Sequence, residues 1–509
     1  GGVLRYPGGS VGTTRGATIN AGGGGISIPA AGFALALNGV VTGPGQLKKL
    51  GSGTLALNGA NSYSGGTIVS NGVFQVGNGF GAGYGDIQLN DGAVLRLAGS
   101  YTLTNNLQFS GTVGIDLNNN SPSGDRHLTG NWSGDATVLI TNISDLSRTF
   151  TIGGNGGMSS LSGIVDLVGS SCRFRFNNND TSPNTGSANV HFKLGSGTVY
   201  LEPRNGNVTV DLGALEGGPA TVIRGRASGL SGTVTYAIGA LNLSTVFDGS
   251  ISNSPTSGNL TSLRKVGTGR LTLTGPSGYT GATSVEDGTL QVDGSLENTT
   301  MTVTAGTLSG GGTLNGFVEI GSGATFAPGN GAGTMTINNM LQLDAGSFTV
   351  MELNPAAAAN DSVLGLTSIS YGGTLTVTNL GGSFAPGDTF TLFSSVGGYG
   401  GAFDAIQLPP LGTGMAWDTS NLLIDGSIKV VSVVLPQITA NASGGSLVLA
   451  GTNGAPDATY QILTSTNLAS PLSGWTPVET NVFDANGAFS FTNAVDPTVR
   501  QKFFILLVP

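Results

Sequence analysis

The chain has 509 residues, 88 of them glycine, with only 9% charged side chains and a formal net charge of −9. That length exceeds one ordinary compact domain unless the architecture extends in one direction. Abundant glycine would suit a disordered chain, but disorder goes with low hydrophobicity and high net charge, and 38% of these residues are apolar. An acidic balance without Lys/Arg clusters argues against nucleic acid, and no apolar run is long enough for a transmembrane helix.

The chain opens extended and glycine-rich, GGVLRYPGGSVGTT, with no basic, apolar leader, so any signal peptide is expected outside this numbering. From Lys48 it reads KKLGSGTLALNGANSYSGGTIVSNGVFQVGNG, and from Arg264 RKVGTGRLTLTGPSGYTGATSVEDGTLQVDG. Placing Tyr63 over Tyr279 aligns the two stretches without a gap. Gly51, Gly53, Leu55, Leu57, Gly65, Gly72 and Val76 then meet Gly267, Gly269, Leu271, Leu273, Gly281, Gly288 and Val292. Residues two apart share one face of a strand, so Leu55-x-Leu57 and Phe74-x-Val76 each bury two side chains. The glycines fall where the chain must turn or where neighbouring coils approach closely. Short strands, glycine corners and internal self-similarity predict a right-handed parallel β-helix, an all-β solenoid, with the Asn-Gly pairs as coil corners. Coils of about 20 residues and about 4.8 Å of rise would make a rod on the order of 100 Å long.

The grammar continues more loosely through 193–251 and again through 308–353, so coils are expected to about residue 430. Polar, turn-rich stretches at 116–127 and 175–190 are expected to project as loops from the region 115–190. Cys172, the single cysteine, excludes an internal disulfide and reads as a small buried hydrophobe within SSCRFRF. From 431 to 509 the strands lengthen, prolines and Trp475 appear, and turns stand at Asn453-Gly454 and Asn486-Gly487. That spacing predicts a small antiparallel β-sandwich anchored on Trp475, with 428–434 as a strand-like hinge.

The two aligned copies resemble the autotransporter-associated β-strand repeat of bacterial surface-protein passengers, with Arg270 and Ala282 as departures in the second copy. Ala327-Pro328-Gly329 resembles the coils that follow such repeats, and the C-terminal stretch resembles modules of large secreted bacterial proteins. The resemblance implies an exported, extracellular or cell-surface protein. An autotransporter also ends in a membrane β-barrel, which nothing in this sequence fills. The expectation is therefore a processed passenger or a protein secreted by another route.

Chemistry is thin. The acidic candidates are Asp116, Asp125, Asp180 and the Glu286-Asp287 pair, which takes the repeat's turn and reads as a solvated corner. Asp180 near Arg173 and Arg175 is the one faint lyase-like grouping, with both arginines expected on the strand's outer face. His127 and His191 are single and lack metal spacing. Ser10 sits in a GxSxG with no helix to follow, and 153–157 lacks the Lys-Ser/Thr of a phosphate loop. Tyr63 and Tyr279 read as packing over a coil corner, with a sugar groove as the alternative. No catalytic, cofactor or metal site is expected. Two functions remain open: a rigid rod that assembles head-to-tail with copies of itself into a fibre or sheath, or an adhesin binding surface glycans. A polysaccharide lyase or hydrolase comes third.

Overall fold

The computed structural model describes residues 1–117, 124–141, 144–152, 157–168, 171–176, 184–225, 232–255, 259–434 and 436–508. Among them the regular structure is almost entirely strand, and the only helices are three short 3₁₀ turns. It forms two compact units: 1–382 with 390–409 and 420–427, and 383–389 with 410–419 and 428–509.

The first unit is a parallel β-solenoid of about 14 turns, which at about 4.8 Å per strand spacing corresponds to a stack on the order of 70 Å. The stack is shorter than expected because the coils are not uniformly 20 residues long. Thr67 pairs with Ile87 and Ile87 with Leu107, twenty residues apart, but Ser133 pairs with Ser160 and Thr283 with Met301. Period 2 in the sequence sets the packing: Gly72–Val76 and Ala93–Leu97 both alternate buried and half-buried positions, and they stack in register. Loops are expected at 116–127 and 175–190, yet Arg126–Leu128 and Asn184–Lys193 are strands, as are Trp132–Thr141 and Ser171–Phe176 between them. The polar stretches 118–123 and 177–183 lie outside the described residues. Here the coils bury an aromatic run in which Phe150, Phe174, Phe176 and Phe192 meet edge to face at 5.7, 5.6 and 5.8 Å. Arg126 breaks the pattern: it takes the register position of Phe150, is buried, and donates from Nη1 to the Gly124 carbonyl at 2.7 Å.

Coil corners are tied by side-chain ladders. Asn58 Nδ2 donates to Asn38 Oδ1 at 2.8 Å, and Asn78 Nδ2 to the Asn58 carbonyl at 2.7 Å, one rung every twenty residues. These asparagines satisfy corner carbonyls and amides that strand pairing leaves over.

In the second unit, Gln437–Ser443, Ser446–Thr452 and Phe489–Ala494 make one antiparallel sheet, and Thr459–Ser465, Thr476–Val482 and Phe503–Leu507 another. Their core is Leu449, Tyr460, Ile462, Phe483, Phe489 and Phe491. Trp475 is buried but stands outside that cluster, its Nε1 donating to the Ser470 carbonyl at 3.0 Å. The anchor of the module is thus the Tyr460–Phe483–Phe489 trio, with rings 4.9 to 5.9 Å apart. Ser427–Ser432, where a hinge is expected, is a strand whose residues Lys429–Ser432 pair antiparallel with Met415–Asp418.

Candidate functional site

The repeat residues come together as one corner, built twice. Leu55, Leu57, Val76 and Tyr63 are fully enclosed, as are Leu271, Leu273, Val292 and Tyr279. The tyrosines point inward, each hydroxyl hydrogen-bonded to a threonine four residues on, Thr67 at 2.6 Å and Thr283 at 2.5 Å. Gly51 and Gly72 have φ of +76° and +71°, and Gly267 and Gly288 repeat this at +69° and +61°. Gly53, Gly65, Gly269 and Gly281 are needed for space instead, each lying against backbone of the preceding coil.

At the centre of each corner is a residue that the periodicity gives no reason to single out. Lys49 is buried, and its Nζ donates to the carbonyls of Leu50, Gly51 and Asn71 at 3.2, 2.6 and 3.0 Å. Lys265, 216 positions on, donates to Val266, Gly267 and Asp287 at 2.9, 2.6 and 3.1 Å. The ammonium's three N–H groups match three carbonyls gathered at the glycine turn, of which Leu50 also accepts the Ile28 amide of the preceding coil. Burial lowers both lysines to about 8. The signal was present in the aligned copies, since Lys49 and Lys265 superpose two residues before the first glycine.

On the outer face, in-register stacking sets side chains of successive coils opposite one another, and their charges alternate. Glu202 is fully buried between Arg175 and Arg224; Arg224 Nε lies 2.8 Å from one carboxylate oxygen, and Arg175 grips the other. The Arg224 guanidinium also lies 4.0 Å from the centroid of the Tyr200 ring. The expected outer-face position of Arg173 and Arg175 holds, but both are half-buried, and Arg175 is spent on an ion pair rather than solvated. Arg264 and Glu286 form a bidentate pair at 2.9 and 2.8 Å, and Asp287 Oδ1 accepts its neighbour Gly288 N–H. Asp116 is buried against Arg96 at 2.6 Å, and Asp125 accepts the Thr149 amide at 2.8 Å. Ser10 Oγ accepts the Ala34 amide at 3.1 Å. Burial pushes the Cys172 thiol up to about 12. Asp180 and residues 153–156 lie outside the described residues.

An open groove of about 490 Å³ is lined by Asp166, Lys193, Glu216 and Asp248 among others. Asp166 stacks on Lys193 and Lys193 on Glu216, a rung of alternating sign. His191, mostly buried beside them, has Nε2 3.1 Å from Glu216 Oε1. Burial holds His191 below its ordinary value and Asp166 above its own. Asp166, Lys193 and Glu216 thus face opposite charges one coil away, an arrangement that locks coils in register, while Asp248 accepts from the Thr274 hydroxyl at 2.6 Å. Among the described residues no group of three or more His, Cys, Asp or Glu side chains is placed to hold a metal ion. Among the described residues no helix is long and apolar enough to cross a membrane.

Residues 47–76 and 263–292 match the passenger-associated transport repeat, the same two stretches that build the lysine corners. Both matches lie within the parallel solenoid, so the chain carries two passenger-type β-repeats. The chain is 26% identical over 496 residues to the adhesin BmaC autotransporter of Brucella suis biovar 1, an alignment covering 89% of this chain and 14% of that protein. It is 42% identical over 85 residues to an extracellular serine protease of Serratia marcescens, 17% of this chain and 8% of that one. The chain therefore spans a small fraction of the length of either relative.

Proposed function

We propose that this chain is a non-enzymatic, extracellular rod of a bacterial surface protein whose end coils stack head-to-tail on copies of itself. The adhesin relative and the two matched repeats support a surface-exposed location. The observation that supports the stacking is apolar exposure on the last coil of the solenoid, where Val396 is 90% exposed and Ile406 38%, and where among the described residues Tyr399–Gly401 and Ala405–Gln407 pair along one edge only. An open ladder edge carrying apolar side chains is a template for another strand, and a contact between unlike ends propagates. The protease match adds no catalytic argument, because it covers 85 residues, and Asp116, Asp125, Glu202 and Glu286 are engaged in ion pairs or backbone hydrogen bonds.

Electron microscopy and sedimentation over a range of concentrations test this. Filaments that lengthen with concentration, and that are abolished in Val396→Asp/Ile406→Asp with an unchanged β-sheet circular dichroism spectrum, are the expected result. Single, monodisperse rods at every concentration would overturn it. The second reading is an adhesive passenger, favoured by the name of the BmaC relative; there the rod carries binding sites outward, and cell attachment survives the double aspartate variant.

A further inference from the structure

A second groove, of about 410 Å³, lies on the flank of the first repeat and is lined by Gln46, Ser64, Thr67, Asp86, Gln88 and Gln108. These residues come from four successive coils, so the groove runs along the stack with one set of polar side chains every about 4.8 Å. Ile68, Gln88 and Gln108 form one in-register row across three of the coils. The amides and acid are held in place: Gln88 Nε2 donates to Asn90 Oδ1 at 2.9 Å, and Asn106 Nδ2 donates to Asp86 Oδ1 at 3.0 Å.

Beside it stands an aromatic pair. Tyr84 immediately precedes Gly85, itself part of the groove wall, and Tyr84 and Phe80 are 66 and 56% exposed. Their rings meet edge to face at 6.3 Å. The loop that carries them is rigidly built, with the Phe80 amide donating to Asn78 Oδ1 at 2.9 Å, Gly83 to the Phe80 carbonyl at 3.0 Å and Tyr84 to the Tyr63 carbonyl at 3.0 Å. Two exposed aromatics on a fixed loop forfeit the burial that aromatic rings ordinarily supply. The second repeat shows that the fold does not require them. There the corresponding loop reads DGSLENTT, with Leu296 buried and no aromatic, and the row Gln88–Gln108 is replaced by Thr302–Glu319.

We propose that this groove binds a linear, neutral oligosaccharide. Planar amides in a row, with the Asp86 carboxylate beside them, suit successive sugar hydroxyls, and the exposed rings on the loop that leads into Gly85 suit the apolar C–H face of a pyranose. A periodic groove along a stack matches a periodic chain. The site is independent of head-to-tail stacking, since every residue comes from one chain, and the assay reads binding to unassembled protein.

Fluorescence polarisation of labelled cellotetraose, mannotetraose and xylotetraose against the full chain tests it, with a heparin tetrasaccharide as the charged comparison. Saturable binding of at least one neutral tetrasaccharide is expected. Tyr84→Ala, Phe80→Ala and Gln88→Ala should each weaken it by roughly tenfold with an unchanged melting temperature, and Thr302→Ala in the second repeat should leave it unchanged. No neutral binding, binding of heparin alone, or equal binding by all three groove variants would overturn the proposal.

Discussion

Lys49 and Lys265 are the residues at which the repeat's chemistry concentrates, and they make stability depend on pH with a definite sign. Each has a folded value of about 8 against about 10.4 in an unfolded chain. Between those values the unfolded state binds more protons, so folding stability rises with pH from about 8 to about 10. Burial moves Tyr63 and Tyr279 the other way, well above the usual phenol range. Above about 10 the folded state keeps phenol protons that the unfolded state loses, and stability falls. Asp361, buried and raised to about 7, adds stability that is complete below about 4 and is lost as pH climbs to 7. Urea titrations at pH 7, 8, 9 and 10 should therefore show an alkaline rise in the native chain. The rise should be absent in the Lys49→Met/Lys265→Met variant; a parallel rise there would remove the lysines from the explanation.

At the scale of the element, the coil corner is limited by two separate costs, and two glycines distinguish them. Gly72 has φ +71°, and a Cβ there would lie 2.5 Å from the Gly51 carbonyl oxygen and 2.7 Å from that of Gly53. Gly32 has φ +85° with nothing within 4 Å of the same point. Gly32→Ala should cost only the left-handed backbone penalty, about 1–2 kcal/mol. Gly72→Ala adds a backbone collision that must push two coils apart, and should cost at least about 3 kcal/mol. Chemical denaturation of the two variants measures the difference directly. Equal losses would mean that the coils give way easily and that close stacking is not what the motif glycines protect. The corner also shows why glycine and lysine occur together: the turn that needs glycine exposes carbonyls, and the lysine collects them.

For the whole molecule, the governing fact is that each coil touches its neighbours and little else. A core substitution should therefore loosen a few coils rather than the entire stack. Phe174→Ala removes a ring packed on Phe150 and Phe176 and should cost about 3–5 kcal/mol locally. Hydrogen exchange should quicken in Trp132–Thr141 through Val199–Pro203 and remain slow in Met301–Val303 through Met340–Leu343. Uniform acceleration along the chain would show a single cooperative unit instead.

Local pattern alone determined the coils. Leu55-x-Leu57 and Phe74-x-Val76 announce strands because period 2 is a property of the backbone, and the gapless copy at Leu271 and Val292 announces stacking because identical corners must meet identical neighbours. Coil length was not legible, since residues inserted at a corner change the period without disturbing the alternation, as the wider pairings through 133–192 show. Nor were the partners of the charged residues. Glu202 lies 27 positions from Arg175 and 22 from Arg224, and only the register that stacks their strands brings the three together. The same holds for the groove beside Tyr84, whose residues come from four coils. A side chain's chemistry is written in the sequence, but in a solenoid its neighbours are chosen by the number of residues in each turn.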